Sequence, residues 1–144
     1  MKFFVLLALL VPIAAHAQIT VENPWSRATA PGAKIGAGYM TIRNKSGTAD
    51  RLVGASSPAA ARVETHVTVK DGEIFRMREV KGYEIPANGS FELKPGGAHL
   101  MLVDIKRPLR EGDEIPVVLK FKNAGEKTVA LKVQKGASAP AHSH

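Results

Sequence analysis

The chain has 144 residues, a formal net charge of +7, 44% hydrophobic residues and no cysteine. This length suits one hydrophobic core better than two domains. The lack of cysteine rules out disulfides and thiolate metal ligands, and we therefore expect no lipid-anchored bacterial lipoprotein.

The N-terminus has the pattern of a secretory signal peptide. Lys2 precedes an apolar run from Phe3 to Ala15, and a small-residue cleavage site ends at Ala17. The run is shorter than the ~20 residues of a membrane-spanning helix. We expect residues 1–17 to be removed after Ala17, leaving a periplasmic protein without stable membrane insertion.

The basic net charge does not by itself identify a partner. Lys and Arg are scattered along the chain rather than clustered, and together with export this argues against nucleic acid. An acidic protein, an anionic membrane surface or simple solubility would each account for the charge.

Short apolar runs alternate with turn signals such as Asn44–Gly47, Pro95–Gly97 and Asn123–Glu126. This punctuation is typical of a β sandwich or barrel, and no amphipathic helix stands out. We expect one domain over residues 18–134 and a mobile tail over 135–144. Strands are predicted near residues 18–22, 37–43, 51–56, 62–70, 73–80, 90–94, 98–105, 115–122 and 128–134.

A predicted hairpin brings two metal-binding side chains together. Asp71-Gly72 is a two-residue loop of the kind that favours a type I′ turn, which would pair Lys70 with Glu73. His66 and Met77 would then lie directly opposite each other, with Cβ atoms about 4.5–5.5 Å apart. Two side chains this close can share a metal ion.

A second pair of such side chains lies on one predicted strand. Residues i and i+2 of a strand project from the same face, so His99 and Met101 point together while Leu100 turns away. The preceding Pro95–Gly97 places His99 near the beginning of that strand. The sequence thus offers two arms, each with one imidazole and one thioether, but spacing alone does not bring the arms together.

This ligand chemistry favours Cu(I). Thioether sulfur is soft and uncharged, and suits Cu(I) better than Zn²⁺, Ca²⁺ or Mg²⁺. A neutral ligand set also favours the lower metal charge in a weakly solvated pocket. Taken singly, however, a histidine on a β face is usually hydrogen bonded or solvated, and a methionine usually fills the core. We assign Met40 to the core.

The spacing of these four residues resembles the copper-binding motif of the periplasmic copper chaperone PCu(A)C family. The similarity runs from about Val21 to Val133. Flanking segments that match are Pro24–Arg27, Pro31–Met40 and Pro95–Met101.

The resemblance implies an all-β, cupredoxin-like Greek-key sandwich or barrel, in a single domain with an exposed Cu(I) site. The implied ligands are His66, Met77, His99 and Met101. It also implies copper delivery to the CuA centre of cytochrome c oxidase subunit II, with a Sco-type thiol protein as a further partner. We expect the protein to be a monomer. The tail residues His142 and His144 would give a weak second Cu(II) site; a metal-free, disordered end is the alternative that we favour for this tail.

Other functions stay open at this point. A periplasmic protein that buffers copper for tolerance would use the same ligands. A blue-copper electron carrier needs a Cys thiolate, which this chain lacks. A metal-free adhesion module would bind no Cu(I) at all. We expect no enzymatic activity, since no nucleophile–base pair or acid–base carboxylate pair stands out.

Overall fold

A computed structural model of the protein describes residues 18–135. The predicted signal peptide and the tail histidines His142 and His144 lie outside the described residues. Between residues 18 and 135 no helix is long and apolar enough to cross a membrane. The strands are β1 Ile19–Arg27, β2 Ile35–Asn44, β3 Asp50–Ser56, β4 Ala60–Asp71, β5 Ile74–Glu79, β6 Tyr83–Ile85, β7 Ser90–Leu93, β8 His99–Ile105, β9 Glu114–Phe121 and β10 Gly125–Gln134.

Seven of these strands form a closed barrel. Hydrogen bonds join them in the order β4-β8-β2-β1-β10-β9-β3, and the pairing of Ala55 with Val63 returns from β3 to β4. The β1–β10 pair is parallel, whereas β4–β8 and β2–β8 are antiparallel. β5 extends the sheet beyond β4, β6 extends it beyond β3, and β7 pairs with β2. The predicted all-β, single-domain fold class is confirmed.

The apolar core forms because alternate strand residues point inward. In β8, Leu100 and Leu102 are fully buried and belong to the same core cluster as Leu119 and Leu131 of other strands. Burial of each such side chain contributes about 1.5–3 kcal/mol. The same alternation directs His99 and Met101 to the face of β8 opposite the core.

The predicted strands all occur, with ends that shift by up to five residues. Met40 is 2% exposed, which confirms its assignment to the core. The strand that pattern analysis missed is β6, because three residues between Gly82 and Pro86 are too few for an alternation signal.

A glycine fixes the position of β6. Gly82 has a φ of +109°, and a Cβ built there would lie 2.1 Å from the carbonyl oxygen of Leu52. Only glycine accommodates both the backbone conformation and this close approach. The chain can therefore pass against β3, and the next residue, Tyr83, enters the protein interior.

A buried carboxylate holds the turn between β9 and β10 against the start of β3. Asp50 is 6% exposed. Its carboxylate accepts hydrogen bonds from the backbone N–H groups of Arg51, Asn123 and Ala124, at 2.7, 2.9 and 3.0 Å. These bonds satisfy turn donors that the strand ladder does not use.

Candidate metal centre

The β4–β5 hairpin has a different register from the predicted one. Asp71 pairs with Ile74, so His66 lies opposite Glu79 and Met77 lies opposite Thr68. The prediction that His66 and Met77 face each other directly is therefore wrong.

The physical reason lies in the turn. A type I′ turn needs positive φ at both central residues, and of Asp71 and Gly72 only Gly72 has it, at +63°. The loop is Gly72-Glu73, with glycine at the first central position as in a type II′ turn. The shift amounts to two residues, and two is the side-chain period of a strand. His66 and Met77 therefore remain on one face, as diagonal neighbours.

The pairing of β4 with β8 joins the two arms that spacing alone left separate. His66 lies directly opposite His99, and Glu64 lies opposite Met101. The two imidazole rings face each other with centroids 5.7 Å apart and an interplanar angle of 28°. Both rings are largely buried, at 9% and 6% exposure.

An open cavity of about 330 Å³ lies over this face. Met77, His99 and Met101 line it, whereas His66 stands beside His99 and does not line it. Met77 is 64% exposed. Three of the four predicted ligands thus meet at one cavity, and the fourth adjoins it.

The environment of His99 favours a neutral ring with a free lone pair. Its Nδ1 lies 3.3 Å from the carbonyl oxygen of Gly97, which can only accept, so this contact requires the proton on Nδ1. The lone pair is then on Nε2. Burial lowers the pKa of His99, the bond to Gly97 opposes this, and the positive charge that His66 carries when protonated lowers it further.

The ring of His66 has one partnered and one unpartnered nitrogen. Its Nε2 lies 3.3 Å from Oε1 of Glu64, whereas the buried Nδ1 has no hydrogen-bond partner within residues 18–135. Leaving such a buried polar atom unsatisfied costs about 1–3 kcal/mol. Burial raises the pKa of Glu64, but its bonds to Arg62 and His66 more than offset this and lower it overall.

Tyr83 supports both histidines from the interior. Its hydroxyl oxygen lies 2.6 Å from the carbonyl oxygen of His66 and 2.7 Å from that of His99. Burial raises the pKa of Tyr83 to about 12, with the two backbone contacts opposing the rise. The side chain therefore stays a neutral donor at physiological pH. Sequence analysis gave no signal for this residue, because its role depends on strands distant in sequence.

Besides the candidate ligands, aromatic and basic side chains line the cavity. Tyr39 lines the cavity, and its ring packs on Trp25 with centroids 4.6 Å apart. Arg27 also lines it, and its buried Nε has no hydrogen-bond partner among the described residues. Ile35 and Phe75, at 46% and 66% exposure, form an apolar rim. Of these residues, the resemblance had covered Trp25 and Arg27 in one flanking segment and Tyr39 in another.

The donor chemistry of this face fits a soft, singly charged metal ion. His99 and Met101 share one strand face, His66 adjoins them with an unsatisfied ring nitrogen, and the exposed Met77 borders the same cavity. The two imidazoles and two thioethers are uncharged, which suits Cu(I) better than a hard dication. On this face, the carboxylates of Glu64 and Glu79 lie opposite Met101 and His66, respectively.

The chain matches a known protein family over almost all of its described residues. The family described as "Putative lipoprotein LpqE-like" matches residues 19–133. A relative from Leifsonia xyli subsp. xyli, the putative lipoprotein Lxx21020, is 34% identical over 117 residues, which cover 81% of this chain and 69% of that protein.

Two solved structures are similar over most of their length. The copper-bound PCuAC domain from PmoF2 has a TM-score of 0.73 and 29% identity, covering 84% of this chain and 96% of that domain. The Cu(I) form of DR1885 from Deinococcus radiodurans has a TM-score of 0.69 and 34% identity, covering 86% of this chain and 83% of that one.

Proposed function

We propose a function from one premise: the chain belongs to the LpqE-like family and has the PCuAC fold. The protein binds copper as Cu(I) and carries it as cargo. The observation that carries this proposal is the meeting of Met77, His99 and Met101 at one open cavity, with His66 stacked beside His99. Two similar structures, of PmoF2 and DR1885, are described as copper-bound and Cu(I)-bound.

The proposed ligands are His66, Met77, His99 and Met101. With neutral imidazoles and thioethers, the loaded site carries one positive charge for Cu(I) and two for Cu(II). The lower charge is favoured because His66 and His99 are largely removed from solvent. Methionine ligands also suit an oxidising compartment, where thiols are lost to disulfides.

The role is transfer rather than catalysis. Met77 is exposed at the cavity edge, which gives an incoming ligand room to bind while the thioether leaves. An acceptor with anionic thiolates holds Cu(I) more tightly than four neutral ligands, so transfer runs downhill. We assign the CuA centre of cytochrome c oxidase subunit II as the acceptor, with a Sco-type thiol protein as a further partner. The net charge is +7 for the full chain and +6 once the leader with Lys2 is removed, and this basic charge favours encounter with an acidic docking face.

The proposed site of action is the periplasm, after cleavage at Ala17. The support is the apolar leader pattern of residues 1–17 and a family description that names an exported class of protein.

Cu(I) titration against a chelator, followed by X-ray absorption, tests the binding step. The expected result is one Cu(I) per chain with both sulfur and nitrogen neighbours. A metal surrounded only by nitrogen and oxygen would refute the ligand set. Incubation of the loaded protein with an apo CuA domain tests delivery. Tight binding without transfer would instead identify a copper-buffering protein that acts in tolerance.

A further inference from the structure

A second group of metal-binding side chains lies on the other side of His66. One ring nitrogen of His66 and one carboxylate oxygen each of Glu64 and Glu79 lie within 4.8 Å of one another. The strand register produces this group, because His66 pairs with Glu79 on β5 and Glu64 is two residues away on the same face of β4. In the predicted hairpin register Glu79 would instead pair with Glu64 and be only a diagonal neighbour of His66.

The two carboxylate oxygens of Glu64 contact different partners. Its Oε2 lies 3.3 Å from Nε of Arg62, while Oε1 lies 3.3 Å from Nε2 of His66. Oε1 thus faces the imidazole, and a cation bound there would not break the contact with Arg62. Glu79 is exposed, so a metal could approach from solvent.

The two carboxylates and the two thioethers of Met77 and Met101 line different cavities. Glu64 and Glu79 line an open cavity of about 490 Å³ that also contains Lys81, and none of its lining residues lines the cavity of Met77. His66 is nine-tenths buried, and its Nε2 faces Oε1 of Glu64 at 3.3 Å, so a buried imidazole belongs to the same cluster as the two carboxylates. The cluster is therefore more than a group of solvated acids.

We infer that Glu64, His66 and Glu79 form a second metal site, for a divalent cation that accepts one imidazole and two carboxylates. Zn²⁺ and Cu²⁺ are the cations of this class. Two carboxylates give the site a charge of −2, which offsets a divalent ion and contrasts with the neutral thioether set. Water would complete the coordination on the exposed side.

The second site shares His66 with the Cu(I) site, and this part of the inference rests on the proposed function. A neutral imidazole has one nitrogen with a free lone pair, so His66 can bind only one metal ion at a time. Cu(I) and a divalent cation should therefore compete, although Glu64 and Glu79 do not line the cavity of the thioethers. A divalent cation in excess would then oppose Cu(I) loading.

Calorimetric titration with Zn²⁺ tests the site, because zinc is redox-inert. The starting protein is the full chain carrying His142→Ala and His144→Ala, which removes the tail imidazoles as a second zinc site. Glu64→Gln and Glu79→Gln remove the proposed ligands. Glu73→Gln is the matched control, since it removes the same charge from an exposed position in the same hairpin.

We expect Glu64→Gln and Glu79→Gln each to weaken zinc binding at least tenfold, with Glu73→Gln and Met101→Ala unchanged. Cu(I) affinity should show the opposite pattern, falling in Met101→Ala and holding in Glu79→Gln. Equal zinc affinity in Glu79→Gln and Glu73→Gln would overturn the second site, whatever happens to Cu(I). Undiminished zinc binding to Cu(I)-loaded protein would overturn the sharing of His66.

Discussion

The hydroxyl group of Tyr83 lies 2.7 Å from the carbonyl oxygen of His99, inside the barrel and directly beneath the candidate metal centre. A phenolic hydroxyl has one proton, so it can fully donate to only one of the two histidine carbonyls that it contacts. The backbones of β4 and β8 are thus tied to one buried side chain at the point where their imidazoles meet.

Removing this hydroxyl should loosen the site as well as the fold. We expect Tyr83→Phe to lower the free energy of unfolding by about 1–3 kcal/mol, because a buried carbonyl loses its donor. Cu(I) affinity, measured by chelator competition under conditions where the variant is fully folded, should fall as well. Unchanged Cu(I) affinity would show that Tyr83 supports only the fold.

Tyr83 should also give the protein a specific sensitivity to high pH. The pKa of Tyr83 rises from 10.0 to about 12 on folding. The stabilisation from its neutral form is fully present below pH 10 and is lost as the pH rises through 12. The free energy of unfolding, measured with urea, should therefore fall more steeply between pH 10 and pH 12 in the wild type than in Tyr83→Phe. Both proteins keep Tyr39, so its titration affects them equally. If stability falls equally with pH in the two proteins, the raised pKa of Tyr83 is contradicted.

Methionine substitutions separate binding from folding. Met77 is 64% exposed, so Met77→Ala should change stability by no more than about 0.5 kcal/mol while weakening Cu(I) binding tenfold or more. Met101→Ala should weaken it similarly. Met40→Leu is the control, because Met40 is buried in the core, and its Cu(I) affinity should match the wild type. Retention of full affinity in Met77→Ala would remove that residue from the ligand set.

Gly82 should tolerate no side chain. A Cβ at this position would lie 2.1 Å from a backbone oxygen, at a φ of +109°, so Gly82→Ala should cost at least about 3 kcal/mol. Gly72→Ala is the matched control, since its φ is +63° with nothing within 4 Å of the added Cβ, and it should cost about 1–2 kcal/mol. Equal thermal unfolding of the two variants would count against the close approach of β6 to β3.

Asp50 is expected to contribute to stability through its three backbone hydrogen bonds. Asp50→Ala leaves turn N–H groups without their acceptor and should cost about 2–4 kcal/mol. The exposed Asp71 has only a distant pairing with Arg76, at 3.8 Å, and Asp71→Ala should cost under about 0.5 kcal/mol. Chemical denaturation of both variants measures the difference, and similar values would argue against the anchoring role.

Local pattern predicted the parts of the site that lie on one strand. His99 and Met101 share a face because a strand repeats every two residues, and this holds in the structure. The hairpin was predicted from a dipeptide, and Asp71-Gly72 suits one turn while Gly72-Glu73 suits another. The registers of these two turns differ by two residues. The sequence pattern therefore predicted the correct face for Met77 but the wrong residue opposite it.

Other parts of the site depend on contacts between distant segments. The pairing of His66 with His99 follows from barrel closure, which spacing cannot specify. Glu79 lies directly opposite His66 only with the actual turn, and Tyr83 enters from a strand too short to be predicted. For these residues the determining interactions are backbone pairings far apart in sequence, where side-chain periodicity carries no signal.

Three of the four candidate ligands lie on interior strands of the described sheet, and Met77 lies on a border strand. β8, with His99 and Met101, is bonded on both sides, whereas β5, with Met77, ends the described sheet and has all six side chains exposed. A border strand of this kind opens at lower free energy than an interior one. In the proposed transfer, copper would bind first to Met77 and also leave Met77 first. His99 and Met101 on the interior strand would stay bound to copper until the acceptor's ligands had replaced them.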